Sequence, residues 1–121
     1  MKMRVLVVED EVSVREPMVE FLRYEKVPAD GVPDGSRGLE ALKTGGYNLC
    51  VVDLLMPVMD GEEFMIHARE IKPELKFVVV TGKGMPLENE YRRLVKMPGV
   101  VAVLQKPFPL EKLLGTILKA F

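Results

Sequence analysis

Four short apolar runs constrain this chain more than any other feature: Val5-Leu6-Val7-Val8, Leu49-Cys50-Val51-Val52, Phe77-Val78-Val79-Val80 and Val100-Val101-Ala102-Val103-Leu104. Each is continuous rather than alternating, which is how a strand reads when both of its faces are covered, as in a parallel sheet. The segments between them carry helical spacing instead. Val14, Met18, Phe21 and Leu22 share one helix face, as do Leu39 with Leu42, and Phe64 with Ala68 and Ile71. Leu87, Tyr91, Leu94 and Val95 form a further stripe, and Leu110, Leu113, Leu114, Ile117 and Leu118 a last one. Strands alternating with helices imply βαβ units with right-handed crossovers and helices on both faces of the sheet.

A fifth strand, second in chain order, is expected around residues 27–32. It contains Pro28 and Gly31, which a central strand tolerates badly because proline donates no ladder hydrogen bond. An edge position accepts both. The expected architecture is therefore an α/β, flavodoxin-like, doubly wound sheet of five parallel strands in the order 2-1-3-4-5, with five helices. Turn signals at Pro33-Asp34-Gly35, Gly45-Gly46 and Met97-Pro98-Gly99 punctuate it. The 121 residues fit one domain of the usual ~100–150. The expectation is a single domain over residues 1–121 with no attached effector. Net charge is −1, without the concentrated basic face that nucleic acid requires. No apolar run approaches the ~20 residues of a membrane helix. The single cysteine, Cys50, excludes an internal disulfide and suits a reducing cytoplasm.

In an open parallel sheet the ligand site lies at the carboxyl ends of the strands, where the strand order reverses. The residues directly after each apolar run therefore line the candidate site. Glu9, Asp10 and Glu11 come after the first, Asp53 after the second and Thr81 after the third, while Gln105, Lys106 and Pro107 come after the last. Carboxylates, a hydroxyl and an amine thus converge on one rim. Clustered carboxylates repel unless a cation lies among them, and a hard, oxygen-seeking ion such as Mg²⁺ meets that need. Asp53 can then act as a nucleophile toward phosphorus. Lys106 can neutralise phosphoryl oxygens, and Thr81 can donate a hydrogen bond to one. Any one of these residues alone would be an ordinary turn residue, helix-end acid or solvated lysine; the coincidence at strand ends is the signal.

Four blocks carry a family resemblance: Val7-Val8-Glu9-Asp10-Glu11, the run from Val51 to Gly61 with its pattern Asp-x-x-Met-Pro-x-Met-Asp-Gly, Val79-Val80-Thr81-Gly82, and Gln105-Lys106-Pro107-Phe108. In order and spacing, over essentially the whole chain, they resemble the receiver domains of bacterial two-component response regulators, the chemotaxis regulator type included. The resemblance implies a phosphorylation-dependent signalling switch rather than a classical enzyme, a phosphoprotein of the cytoplasm that assists its own phosphorylation and dephosphorylation. It makes Asp53 the phosphoacceptor, Thr81 the switch hydroxyl and Lys106 the phosphate-contacting lysine. Mg²⁺ or Mn²⁺ would be held by Glu9, Asp10, Asp53 and the backbone carbonyl of Leu55, with Asp10 a direct ligand. The partners implied are a sensor histidine kinase or phosphotransfer protein and a downstream protein target, with neither nucleic acid nor membrane bound directly.

Three departures stand out. Glu9 replaces the more usual Asp. Val103 sits where many members carry a Tyr or Phe that rotates on activation, so the output is expected through backbone movement of Gly82-Lys83-Gly84. Residues 82–97 include Pro86, with Pro98 just beyond, which predicts a shorter or displaced fourth helix. In the family the chain resembles, the positions held here by Leu55 and Lys83 flank the path of hydrolytic water, so an apolar Leu55 and a long Lys83 imply slow self-dephosphorylation. Two other functions compete with the switch. A haloacid-dehalogenase-like phosphatase needs a second Asp two residues after the first, where Leu55 stands. A degenerate receiver acting as a constitutive docking module is the other. Among the remaining residues, Cys50 is expected to be a small buried hydrophobe, His67 a helix-boundary residue and Tyr91 a core residue. Arg92, Arg93 and Lys96 are expected on a solvated or docking face, and Pro17 inside the first helix. The Lys106-Pro107 peptide is expected to be cis.

Overall fold

The computed structural model of the chain describes residues 3–82 and 88–121. Strands and helices alternate throughout: β1 (Val5–Val8), α1 (Val12–Tyr24), β2 (Ala29–Val32), α2 (Gly35–Thr44), β3 (Leu49–Asp53), α3 (Gly61–Ile71), β4 (Lys76–Thr81), α4 (Glu88–Val95), β5 (Val100–Gln105) and α5 (Leu110–Lys119). The strands form one sheet in the order β2-β1-β3-β4-β5, every neighbouring pair parallel. This is the expected doubly wound arrangement.

The continuous apolar runs have the expected cause. Alternate residues of one strand face opposite helical layers. Leu6, Val8, Cys50, Val52, Phe77 and Val79 join Leu42, Phe64, Ala68 and Leu94 on the α2–α3–α4 side. Val5, Val7, Leu49, Val51, Val78 and Val80 join Met18, Leu22, Leu113 and Ile117 on the α1–α5 side. Both faces are therefore dry, and the three central strands have almost no accessible surface.

The edges behave differently. β2 begins at Ala29, leaving Pro28 outside the strand, where its carbonyl accepts the Val5 N–H at 2.9 Å. Gly31 stays inside, and a Cβ there would lie 2.9 Å from Arg15 Cγ; glycine lets α1 approach the edge. β5 is the other edge and is only partly covered. The register between Phe77↔Val100 and Val78↔Ala102 skips Val101, which bulges out with 42% of its surface exposed. A bulge at a sheet edge breaks the template that another strand could join.

Three expectations about individual side chains are corrected. Tyr91 and Val95 are exposed, and Leu94 is the buried residue of α4. Among the described residues α4 runs over Glu88–Val95 and turns one apolar position, Leu94, inward. Ile71 and Leu118, near the ends of α3 and α5, are exposed as well. His67 lies within α3 rather than at its boundary, on the outer face with Nδ1 3.2 Å from Glu70 Oε1. Pro17 is inside α1 as expected. Cys50 is fully buried, and loss of solvent pushes its thiol well above the ordinary range, which makes it inert packing material. Leu87 lies outside the described residues.

Candidate functional site

The site lies at the carboxyl edge of β1, β3, β4 and β5. Because all strands run the same way, the residue ending each apolar run arrives at the same rim. Glu9 follows β1 and is 2% exposed; Asp53 ends β3 at 7%; Thr81 ends β4 and is fully buried. Asp10, by contrast, stands in solvent. Oxygens of the Glu9, Asp10 and Asp53 carboxylates lie within 4.8 Å of one another.

Lys106 binds this cluster together. Its Nζ donates to Glu9 Oε1 at 2.9 Å and lies 3.5 Å from Asp53 Oδ2. The remaining oxygens also have partners: Glu9 Oε2 accepts the Glu11 N–H at 3.2 Å, and Asp53 Oδ1 accepts the Leu55 N–H at 3.2 Å. Partial burial opposes the charge on Lys106, but Glu9 and Asp53 override it and raise the ammonium above its ordinary value. The carboxyl of Asp10 is also raised, first by partial desolvation and then by the neighbouring Glu9.

Backbone contacts hold the frame. The Arg15 guanidinium donates to the Glu9 carbonyl at 2.8 Å and ties α1 to the end of β1. The Lys106 N–H donates to the Thr81 carbonyl at 2.8 Å, and the Leu54 N–H to the Val80 carbonyl at 2.9 Å. The Thr81 hydroxyl reaches the Leu104 carbonyl at 3.5 Å, a long contact that a better acceptor would displace. The Lys106-Pro107 peptide is cis, as expected. After Asp53 the chain passes through exposed Leu55 and Val58 before Asp60 caps α3, its Oδ1 accepting the Glu63 N–H at 2.9 Å. Val58 adopts φ +70°, an uncommon conformation for a β-branched residue.

The donor set suits a divalent cation. Three carboxylates against one ammonium leave two negative charges when all are ionised. All the side-chain donors are oxygens, the chemistry of a hard ion rather than of a thiolate- or imidazole-seeking one. Exposure of Asp10 leaves the cluster open on that side. Sequence reasoning names Glu9, Asp10, Asp53, Thr81 and Lys106, and the fold brings all five to one rim. The Leu55 side chain points to solvent with 60% of its surface exposed. Val103 is half-buried in β5, packed against the core. Lys83, Gly84 and Pro86 lie outside the described residues.

Sequence reasoning misses two partners near the site: Arg15 at the Glu9 carbonyl and Arg93 at Glu62. Arg93, read as part of a solvated face, reaches from α4 to Glu62 in the first turn of α3, Nη2 to Oε1 at 2.6 Å. Nothing in a one-dimensional pattern pairs positions this far apart.

Known proteins agree with this geometry. A family model described as the response regulator receiver domain matches residues 5–118. The chain is 32% identical over 116 residues to the response regulator receiver protein CpdR of Brucella abortus (strain 2308), covering 96% of this chain and 94% of that protein. It is 30% identical over 112 residues to the transcriptional regulatory protein RprY of Bacteroides fragilis (strain YCH46), covering 93% of this chain but 46% of RprY, so it spans about half the length of that relative. Among solved structures, a CheY-like response regulator receiver domain protein from Methanospirillum hungatei JF-1 superposes with a TM-score of 0.88 at 26% identity, over 99% of this chain and 94% of that one. No helix among the described residues is long and apolar enough to cross a membrane. The strand order, the acid-lined rim and these matches agree, and the chain belongs to the response regulator receiver domain family.

Proposed function

We propose that this receiver domain is a phosphorylation-dependent signalling switch whose phosphoacceptor is Asp53. A carboxylate oxygen of Asp53 attacks phosphorus, the N–P bond of a donor phosphohistidine breaks, and the imidazole leaves with the bonding pair. The donor is a histidine of a sensor kinase or phosphotransfer protein. A single observation carries the reading: carboxylates, a hydroxyl and an ammonium converge around Asp53 from four strand ends. Catalysis of phosphoryl transfer rests mainly on positioning and charge, and each group has a place in it. Lys106, already 3.5 Å from Asp53 Oδ2, neutralises an oxygen of the arriving phosphoryl group. The Thr81 hydroxyl exchanges its long contact with Leu104 for a charged acceptor.

Glu9, Asp10, Asp53 and the carbonyl of Leu55 would hold Mg²⁺ or Mn²⁺, with Asp10 a direct ligand. When bound, the cation supplies the charge neutralisation that brings an anionic donor to an acidic pocket. Val103 is too small to carry a signal to the surface, so the output passes through the backbone that follows Thr81. Residues 1–121 act as one receiver unit, working in the cytoplasm and signalling to a protein target rather than to nucleic acid or membrane.

Intact mass after incubation with acetyl phosphate and Mg²⁺ tests the assignment. The chain should gain ~80 Da, the mass of one phosphoryl group on a carboxylate nucleophile, and Asp53→Asn should abolish the gain. Uptake by that variant would refute the assignment. A wild-type chain that never gains mass would instead favour a constitutive docking module.

A further inference from the structure

Two parts of the molecule meet beside the phosphoacceptor, and they are held very differently. The start of α3 is fixed to β3. The Gly61 N–H donates to the Leu54 carbonyl at 2.9 Å, Asp60 caps the helix, and Phe64, Met65 and Ala68 are buried beneath it. Helix α4 has far less to hold it. Among its described residues only Leu94 is buried, and an element with little buried apolar area is the one that opens at low cost. It comes after Thr81 in the chain, so any pull on that hydroxyl is transmitted toward it.

Between these two parts lies a groove of about 240 Å³ lined by Leu54, Leu55, Asp60, Glu62, Glu90 and Arg93. One ion pair spans it. Glu62 belongs to the fixed side and Arg93 to the loosely held helix, with Nη2 and Oε1 2.6 Å apart. The other acids of the groove, Asp60 and Glu90, make Arg93 its sole positive charge among the described lining residues. On the same helix Arg92 is engaged with Glu88 at 2.7 Å rather than with Glu62.

We propose that the Glu62–Arg93 pair is a latch that holds α4 in its unphosphorylated position against the acceptor loop, and so sets how readily the domain enters its phosphoryl-bound state. The proposal rests on the phosphoacceptor reading above. A latch of this kind biases a two-state element only through its differential stability in the two states. An exposed pair is weak and screened by salt, which suits a contact that must break in each signalling cycle.

The experiment uses the whole chain with Glu62→Gln, Arg93→Gln and the double variant. The first readout is amide exchange across residues 88–95 without any ligand. Glu62→Gln should speed exchange in α4, a helix to which Glu62 does not belong. The second is the affinity for beryllofluoride with Mg²⁺, a stand-in for the phosphoryl group. Each single variant should bind about two- to fivefold tighter, the scale of one exposed ion pair, and the double variant no tighter than the better single. At ~1 M salt, where the screening length falls to ~3 Å, the differences should vanish. Unchanged exchange in α4 after Glu62→Gln overturns the latch, as does weaker or unaltered beryllofluoride binding in the single variants. If the wild type exchanges as expected but binds no beryllofluoride, it is the phosphoacceptor reading that fails, while the exchange data still decide the latch.

Discussion

The backbone following Asp53 leaves no room for a side chain at Gly61, and Gly61→Ala measures how rigidly the acceptor is held. A Cβ at this position would lie 2.6 Å from the Asp53 carbonyl oxygen, 2.9 Å from Leu54 Cα and 3.1 Å from Val52 Cγ1. The first of these is short of ordinary contact by about 0.8 Å or more. Two of the three obstacles are backbone, so no rotamer change relieves them. The strand side is anchored by the Leu54–Val80 hydrogen bond and the helix side by the Gly61–Leu54 one. Overpacking of this kind costs about 1–3 kcal/mol. Alanine's better helix propensity returns less than the ~1 kcal/mol seen in a helix interior, because Gly61 opens the helix. A net loss of about 1–2 kcal/mol, at a urea slope of ~1–3 kcal/mol per molar, lowers the unfolding midpoint by about 0.3–2 M. Gly46→Ala is the control, since a Cβ there meets nothing within 4 Å. The displaced Asp53 carbonyl should also slow phosphoryl uptake, by up to about 10²-fold for a misplacement near 1 Å. A Gly61→Ala midpoint no lower than that of Gly46→Ala would show that the close approach is not rigid.

Other outcomes depend on the same geometry. Tyr47 is buried and donates to Asp30 Oδ2 at 2.7 Å; Tyr47→Phe should cost about 1–3 kcal/mol, at the low end because Asp30 is partly solvated, and equal stability by urea titration would count against the bond. The Tyr47 hydroxyl, then Arg4 and Arg23, hold the Asp30 carboxyl below its ordinary 3.8. Its contribution is therefore complete above that value and disappears as pH falls through the lower folded one. Stability measured across pH 5 to pH 2 (roughly the range over which a depressed carboxylate titrates) should fall less steeply in Asp30→Asn than in wild type. Lys106→Met leaves Glu9 and Asp53 without their ammonium; in metal-free buffer it should destabilise by about 1–3 kcal/mol, less than for a fully buried pair because the lysine is partly exposed. Added Mg²⁺ should then raise the melting temperature of the variant more than that of wild type, and an equal rise would contradict the charge balance drawn for the site.

Much of this is legible in the sequence, for a reason specific to parallel sheets. When strands run the same way and both faces are dry, the end of each apolar run is also a position in space. Asp53 after Val52, Thr81 after Val80 and the acids after Val8 can be assigned to one rim from their order alone. Edges are less legible. β5 reads as apolar as β4, yet Val101 bulges out and Val103 is half-covered, because nothing packs beyond the last strand. Tyr91 shows the same limit in a helix: the periodic stripe is real, but among the described residues of α4 only Leu94 turns inward.

Polar partnerships are the least legible part. Periodicity distinguishes the inner face of a helix from its outer face, but it does not tell which outer residues meet. Glu62 with Arg93, and Tyr47 with Asp30, depend on how neighbouring elements are spaced across the sheet. They also divide the molecule in a way the motif alone does not show. Glu9, Asp10 and Asp53 rise from β1 and β3, whose faces are closed by packed helices. Lys106 comes from the partly covered edge strand, and Thr81 leads toward the helix whose described residues include one buried side chain. A charge placed on Asp53 therefore attracts groups across a boundary between a well-packed region and a loosely packed one. With Asp53 as the proposed phosphoacceptor, the well-packed side would hold it still and the loosely packed side would be the one to move in response. With valine at position 103, no aromatic side chain is present there to report that movement. On the proposed switch the change would pass instead into the placement of α4, and the Glu62–Arg93 contact would set how far the domain responds.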